Sequence, residues 1–66
     1  MKIREIRKEK GITQQGLATK AGIAREMVNR YERGVSVPDT TTLIKIAKAL
    51  DTTIDNLVSD MAEGSA

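Results

Sequence analysis

The sequence predicts an all-α fold, a single compact domain built from five short helices and no strands. Apolar residues recur at spacings of three, one and three along one predicted helix face, as at Leu43, Ile46, Ala47 and Leu50. Residue types that begin and end helices separate these stretches. With 66 residues, the chain is long enough for one domain with a modest core.

The five helices are expected over residues 2–10, 14–21, 25–33, 40–50 and 54–58. Thr13, Asp39 and Thr53 stand at N-cap positions, where a side-chain oxygen accepts a hydrogen bond from a free backbone N–H. Gly34 ends the third helix, and Pro38 disfavours helical backbone at the residue before it. We expect residues 1–58 to form the domain and residues 59–66 to form a short, flexible C-terminal tail.

The second and third helices are joined by a tight turn at Gly22. Glycine suits the left-handed backbone conformation that ends a helix. Ala18 lies one turn earlier on the same face, where its small side chain lets another helix approach closely, and Ile23 follows to fill the angle. A short glycine-containing turn between two steeply crossed helices is typical of a helix-turn-helix.

The third helix is apolar on one side only. At 100° per residue, its polar side chains fall within an arc of about 140°, opposite Met27, Val28 and Tyr31. The polar arc consists of Arg25, Glu26, Asn29, Arg30 and Arg33. Guanidinium, amide and carboxylate groups hydrogen-bond guanine, adenine and cytosine edges in a DNA major groove. The alternative is a solvated charged face, which amphipathic surface helices commonly carry.

Charge is distributed unevenly along the chain. All eleven Lys and Arg residues and five of the nine acidic residues lie within residues 1–48, which gives this segment a net charge of +6. The remaining four acidic residues lie within residues 49–66, whose net charge is −4. We expect the first segment to attract a polyanion and the second to be repelled by it.

The composition excludes several classes of protein. The chain has no cysteine and no histidine, which removes disulfides, imidazole base catalysis and ordinary zinc sites, and it has no glycine-rich phosphate loop. We therefore expect no enzyme, no cofactor and no metal. No apolar run approaches the roughly 18 residues of a membrane span, and no secretory signal is present, so we expect a cytoplasmic protein. Tyr31 is the only aromatic residue, which favours duplex DNA over single strands that stack on aromatic side chains.

Several short motifs together resemble the phage-repressor and Cro-like (XRE-type) helix-turn-helix family. They are residues 3–7 (IREIR), 11–14 (GITQ), 17–18 (LA), 22–23 (GI), 30–34 (RYERG), 37–38 (VP) and 43–50 (LIKIAKAL). The resemblance covers residues 1–58. It implies a compact five-helix, lambda-repressor-like DNA-binding domain that binds a duplex operator, usually as a two-fold dimer.

The resemblance also implies roles for individual residues. It places Arg25, Glu26, Asn29 and Arg30 at base-reading positions. It places Thr13, Gln14, Arg33 and Ser36 at positions that bind phosphate or lie along the backbone. Free N–H groups and the helix dipole give the phosphate contact at Gln14 a physical basis. Arg7 and Glu32 match positions that commonly form an internal ion pair.

Three residues depart from the family pattern. Gly16 stands where a helix former such as Glu is usual, which costs about 1 kcal/mol of helix propensity. Ala24 stands where Ser or Thr often caps the recognition helix, which costs a further ~1 kcal/mol. Glu26 carries a negative charge beside the DNA, where it reads a cytosine or braces Arg25 or Arg30.

The end of the chain is the expected dimer interface. Some of the apolar residues Ile54, Leu57, Val58 and Met61 must cover the fourth helix, but a helix as short as the fifth cannot turn all four inward. We therefore expect at least one of them, Val58 or Met61, to stay exposed, and Leu57, Val58 and Met61 to supply the contacts with a second subunit, mainly on the operator. The alternative is that Val58 and Met61 cover the domain's own core.

Two functions remain open from the sequence. The first is a sequence-specific transcriptional regulator of the repressor kind, binding a palindromic operator as a dimer. The second is an antitoxin-type or adaptor protein that uses the same fold mainly to bind another protein. The arginine-rich face of the third helix favours the first.

Overall fold

The computed structural model describes residues 1–62, with the side chains of residues 1–60, and within this part of the chain all regular structure is helical. The elements are α1 (Ile3–Glu9), α2 (Gln14–Ala21), α3 (Arg25–Glu32), α4 (Thr40–Ala49), α5 (Ile54–Leu57) and α6 (Ser59–Ala62). The all-α prediction is confirmed. The structure adds α6, which lies within the segment expected to be a flexible tail, and the division between domain and tail stays a prediction.

Three helices begin where the sequence predicts an N-cap. In each, a side-chain oxygen accepts a hydrogen bond from the backbone N–H three residues further on, which satisfies one of the donors that lack an intrahelical partner. The acceptor and donor residues are Thr13 and Gly16 at 2.9 Å, Asp39 and Thr42 at 2.8 Å, and Thr53 and Asn56 at 3.1 Å. Ala24 begins α3 without a side-chain cap, as its methyl group requires.

The turn between α2 and α3 has the geometry that the sequence predicts. Gly22 has φ +70° and ψ +35°, in the left-handed region that glycine adopts without strain. The N–H of Ile23 then donates to the carbonyl of Ala18 at 3.0 Å, which closes the end of α2. Ala18 is fully buried, so its small side chain lies where the helices pack. α3 therefore leaves the turn in a fixed direction.

The core is small and draws on every helix from α1 to α5. Its buried residues are Ile3, Ile6, Leu17, Ala18, Ala21, Val28, Ile46, Ala47, Leu50 and Leu57. The segment before α1 is tied to α5, since the N–H of Lys2 donates to the carbonyl of Leu57 at 2.8 Å. The ammonium group of Met1 lies 3.0 Å from the carboxylate of Asp60.

The burial of Leu57 corrects one sequence-based expectation. Its side chain has no exposed surface, so it seals the domain's own core and is not available to contact a partner subunit. Val58, also expected at the dimer interface, is half-buried against the same core and keeps some exposed surface. The third residue expected there, Met61, has a side chain outside the described part of the structure.

Candidate nucleic-acid interface

One side of α3 is anchored in the core and the other faces solvent. Val28 is fully buried and Tyr31 is half-buried against the core. The predicted base-reading residues share the opposite side, where Arg25, Glu26 and Arg30 are exposed and Asn29 is half-buried. The structure thus brings together the polar groups that the sequence assigns to one face, on a helix held by its apolar residues.

The charged side chains on this face make only weak contacts within the protein. The closest approach between the guanidinium of Arg30 and the carboxylate of Glu26, one helical turn apart, is 3.8 Å. Exposed pairs of this kind contribute little to stability, so both side chains can be redirected by a ligand. Arg25 forms no hydrogen bond or ion pair with any described residue. Of the alternatives for Glu26, the structure shows it beside Arg30.

A shielded ion pair holds α3 to α1. Nε of Arg7 donates to Oε2 of Glu32 at 2.6 Å, and Nη2 donates to Oε1 at 3.2 Å. Nη1 of Arg7 donates to the carbonyl of Ile12 at 2.8 Å, so all three guanidinium nitrogens have acceptors. The side chains are 11% and 4% exposed, respectively. The predicted internal pair between Arg7 and Glu32 is therefore confirmed, and its bidentate geometry fixes the end of α3.

Gln14 has a partner that sequence analysis did not anticipate. Its Nε2 donates to Oε1 of Glu32 at 3.1 Å, so the side chain at the start of α2 is held by the end of α3. The other three residues expected to contact the DNA backbone take no part in this hydrogen bond, although Arg33 lines the same cleft as Gln14 and Glu32. Thr13 and Arg33 are exposed, and Ser36 is half-buried in the loop after α3.

The network changes the ionisation of Glu32. Burial alone raises the pKa of a carboxyl group. The hydrogen bonds from Arg7 and Gln14, together with the charges of Arg7 and Arg4, outweigh that effect and hold the pKa of Glu32 below its usual value. Glu32 is therefore ionised at neutral pH, and its charge is balanced within the protein by Arg7.

A polar cleft of about 230 Å³ opens beside this ion pair, and Arg4 is one of its lining residues. Sequence analysis assigned no role to Arg4. The signal that would have identified it is its spacing: Arg4 lies three residues before Arg7, on the same face of the helix. Once Arg7 is paired with α3, Arg4 must lie near the same junction.

The loop between α3 and α4 exposes two valines. Val35 is 55% exposed and Val37 is 71% exposed, close to Ser36. Neither valine can donate a hydrogen bond through its side chain, so within residues 35–37 polar contacts are limited to Ser36 and backbone groups. No helix in the described part of the chain is long and apolar enough to cross a membrane.

Comparison with known proteins agrees with this geometry. A family model described as "Helix-turn-helix" matches residues 3–57. The chain is 43% identical over 56 residues to the uncharacterized HTH-type transcriptional regulator YqaE of Bacillus subtilis, covering 85% of this chain and 48% of that protein. It is 36% identical over 59 residues to the cryptic phage CTXphi transcriptional repressor RstR of Vibrio cholerae, covering 89% and 53%. It is 40% identical over 48 residues to multiprotein-bridging factor 1 of Candida albicans, covering 73% and 32%.

The chain spans about half the length of the first two relatives and a third of the last. No solved structure matches it significantly. The family match covers all five helices that form the core and the turn at Gly22. Helix-turn-helix regulators act by binding DNA and carry no catalytic machinery, in agreement with the expectation that this chain is not an enzyme. The chain belongs to the XRE-type helix-turn-helix family of DNA-binding transcriptional regulators.

Proposed function

We propose that this protein is a repressor that binds a palindromic duplex operator as a homodimer, with α3 in the major groove. The observation that carries the proposal is the exposed polar side of α3, whose opposite side is anchored by the buried Val28. A recognition helix needs such an arrangement, because its side chains can discriminate between base pairs only when a rigid frame holds them against the base edges.

Each group on this side has a base edge that it suits. Arg25 and Arg30 can donate two hydrogen bonds to O6 and N7 of guanine, and the amide of Asn29 matches N6 and N7 of adenine. Glu26 accepts from N4 of cytosine or orients Arg30, from which it lies 3.8 Å away. Arg25, with no described partner inside the protein, gives up no internal contact to bind DNA.

Backbone contacts are proposed for Thr13, Gln14, Arg33 and Ser36. The Oγ1 of Thr13 accepts from Gly16 as the cap of α2, yet its hydroxyl hydrogen remains free to donate to a phosphate oxygen. The side-chain amide of Gln14 donates one hydrogen to Glu32 and has a second that can donate to a phosphate, and the dipole of α2 favours an anion there. These contacts would position the protein without reading sequence.

Dimerisation is proposed through Val58 and Met61, at the acidic end of the chain. Val58 retains exposed surface, and the negative charges of residues 49–66 keep this region away from DNA. Two-fold pairing there would present two copies of α3 to half-sites about 34 Å apart on one side of the duplex. One relative, RstR, is named a transcriptional repressor, and a repressor that binds chromosomal DNA would act in the cytoplasm.

The test is selection of bound sequences from a random duplex library, followed by sedimentation of the protein with the selected duplex. We expect an inverted repeat and two protein chains per site. A Val58→Asp variant should bind the same site more weakly, because it buries a charge in the interface. One chain per site, with Val58→Asp binding as tightly as the original protein, would rule out this dimer.

A second candidate function is that of an adaptor or antitoxin that binds another protein. It is favoured by the relative named multiprotein-bridging factor 1 and by the exposed valines of the α3–α4 loop, Val35 and Val37. The library selection separates the two functions. An adaptor that does not read DNA would return no enriched sequence motif.

A further inference from the structure

A basic groove lies between the last turns of α2 and α4 and shares no residue with the predicted DNA contacts. It is about 670 Å³ in volume, and its lining residues include Lys20, Ala21, Lys45, Lys48, Ala49 and Asp51. We propose that this groove binds the acidic α5 region of a neighbouring copy of the protein, so that copies associate side by side on DNA. The inference rests on the proposed binding of duplex DNA and adds a contact between bound dimers.

The charge of the groove favours an acidic partner. Asp51 is the one acidic residue among its lining residues, so the three lysines give the groove a net charge of +2. Lys20, Lys45 and Lys48 are exposed, and none of them forms a hydrogen bond or ion pair with a described residue. Lys45 acts through its charge on Asp39, the cap of α4. Lys20 and Lys48 are therefore the cations most available to a partner.

The outer face of α4 adds an apolar contact beside these charges. At 100° per residue, Ile44, Lys45 and Lys48 fall within an arc of about 100°, and the buried Ile46 and Leu50 lie on the opposite side. Ile44 is 40% exposed. A phosphate backbone offers no apolar surface to cover an isoleucine, whereas another protein does. The combination favours an acidic protein segment over a nucleic acid.

The chain itself supplies an acidic surface of this kind. Residues 49–66 contain four acidic residues and no base. Asp55 is exposed in the first turn of α5 and forms no hydrogen bond or ion pair with any described residue. Ile54, half-buried against the core, keeps some exposed apolar surface next to it. The charge and the apolar surface of the α5 region thus complement those of the groove.

The contact is of the head-to-tail type. The groove and the α5 region are different surfaces of one copy, so each copy can present α5 to one neighbour and receive α5 from another. In the proposed two-fold dimer, by contrast, the surface around Val58 meets its own equivalent. Exposed ion pairs stabilise a contact only weakly. The association therefore forms mainly between copies that DNA already holds close together.

Cooperative filling of two sites on one duplex tests the inference. One duplex carries the selected site twice, at spacings varied base pair by base pair over one helical turn, and a second duplex carries it once. The affinity for the second site divided by that for the single-site duplex measures the contact between bound copies, because changes in DNA affinity cancel. We expect a ratio of about ten at one phase of the spacing, which falls toward one as salt is raised.

Charge reversal on each surface identifies both partners. Lys48→Glu and Asp55→Lys should each reduce the ratio to about one, and the two changes in one chain should restore most of it, because opposite charges meet again. Lys8→Glu is the matched control and should leave the ratio unchanged. Like Lys48, Lys8 is exposed in the last turn of its helix, but it lies outside the groove.

Three results would overturn the inference. A Lys48→Glu variant that binds the single-site duplex far more weakly than Lys8→Glu does would show that the groove binds DNA. Cooperativity that is lost in Lys48→Glu but kept in Asp55→Lys would assign the groove to a different acidic surface. Independent filling of the two sites at every spacing would exclude the contact and leave the proposed function intact.

NMR spectra of the free protein separate this inference from the proposed function. As the protein is concentrated to the millimolar range, the backbone amide signals of Lys20, Lys48 and Asp55 should shift together. They should stay unchanged in Lys48→Glu and shift again when Asp55→Lys is added. If they do so while no duplex is bound, the contact between copies stands and the proposed function fails. Signals that never move, with independent filling of paired sites, would exclude the contact even where duplex DNA is bound.

Discussion

At the residue scale, the Arg7–Glu32 pair is the most shielded ion pair among the described residues. We expect Arg7→Ala to lower the free energy of unfolding by about 3 kcal/mol, because it leaves the 4%-exposed carboxylate of Glu32 without its main partner. Urea unfolding measures the change, with Arg4→Ala on the same helix as an exposed control that should cost less than about 0.5 kcal/mol. A double-mutant cycle that shows no coupling between positions 7 and 32 would contradict this account.

The same carboxylate makes stability depend on pH. The pKa of Glu32 lies below its usual value of 4.5 in the folded protein, where burial opposes ionisation but the bonds from Arg7 and Gln14 outweigh it. The unfolded chain therefore takes up the proton first, so this contribution is fully present above pH 4.5 and is lost as pH falls through the lowered pKa. Unfolding curves between pH 7 and pH 3 should show the loss, and Glu32→Gln should flatten it. An equally steep loss in Glu32→Gln would assign it to other groups, of which Asp39 is one, since hydrogen bonds from Thr42 lower its pKa.

Sequence reasoning at this scale succeeds where the chemistry is local. Thr13, Asp39 and Thr53 cap helices because their acceptors reach an N–H only three residues away. It is incomplete for Gln14, whose second role as a donor to Glu32 depends on how α2 and α3 meet. It is wrong for Leu57, because a single-turn helix has no periodicity from which to tell an inward side from an outward one.

At the element scale, α3 and the start of α2 are expected to separate specificity from affinity. Arg25→Ala or Asn29→Ala should cost about 1–3 kcal/mol at the preferred site and relax the preference at particular base pairs. Gln14→Ala should weaken all duplexes by similar factors, because a phosphate contact carries no sequence information. Repeating the library selection with each variant checks this. An unchanged motif in both Arg25→Ala and Asn29→Ala would mean that the reading face is assigned to the wrong side chains.

The structure also accounts for the glycine inside α2. A Cβ atom at Gly16 would lie 3.2 Å from Cγ2 of Ile12 and 3.2 Å from Oγ1 of Thr13, closer than such contacts normally are. Thr13 must stay in place because its oxygen caps the same helix. From the sequence, Gly16 is only a loss of helix propensity; the crowding at this position becomes visible only when the loop before α2 is seen in three dimensions.

At the scale of the whole molecule, the separation of charge along the chain should govern binding to DNA. Residues 1–48 carry +6 and residues 49–66 carry −4. If a dimer neutralises about six phosphates, log K should fall with log[salt] with a slope of roughly −5. Fluorescence anisotropy with labelled duplexes over a range of salt concentrations gives the slope. A flat response, or equal affinity for single strands, would be incompatible with duplex reading.

The fold as a whole was predictable from periodicity and helix caps, since all five expected helices have bounds within about one residue of those observed. The contacts between the first two residues and the segment around α5 and α6 were not predictable. They join Lys2 to Leu57 and Met1 to Asp60, and no local pattern reports on residues so far apart in sequence. These contacts set how the last helices lie against the first.

The hydrogen bond from Lys2 to Leu57 turns a residue near the chain terminus into a reporter of distant structure. Amide hydrogens so near a terminus normally exchange with solvent almost at once. Here the N–H of Lys2 donates to the carbonyl of Leu57 in α5 at 2.8 Å, so it becomes free to exchange only when α5 and the segment before α1 separate. We expect slowed deuterium uptake at Lys2, and slower uptake still when a second subunit holds the C-terminal helices in place. Deuterium uptake at this one amide would then report pairing of the subunits through the C-terminal helices, without a label attached to either subunit.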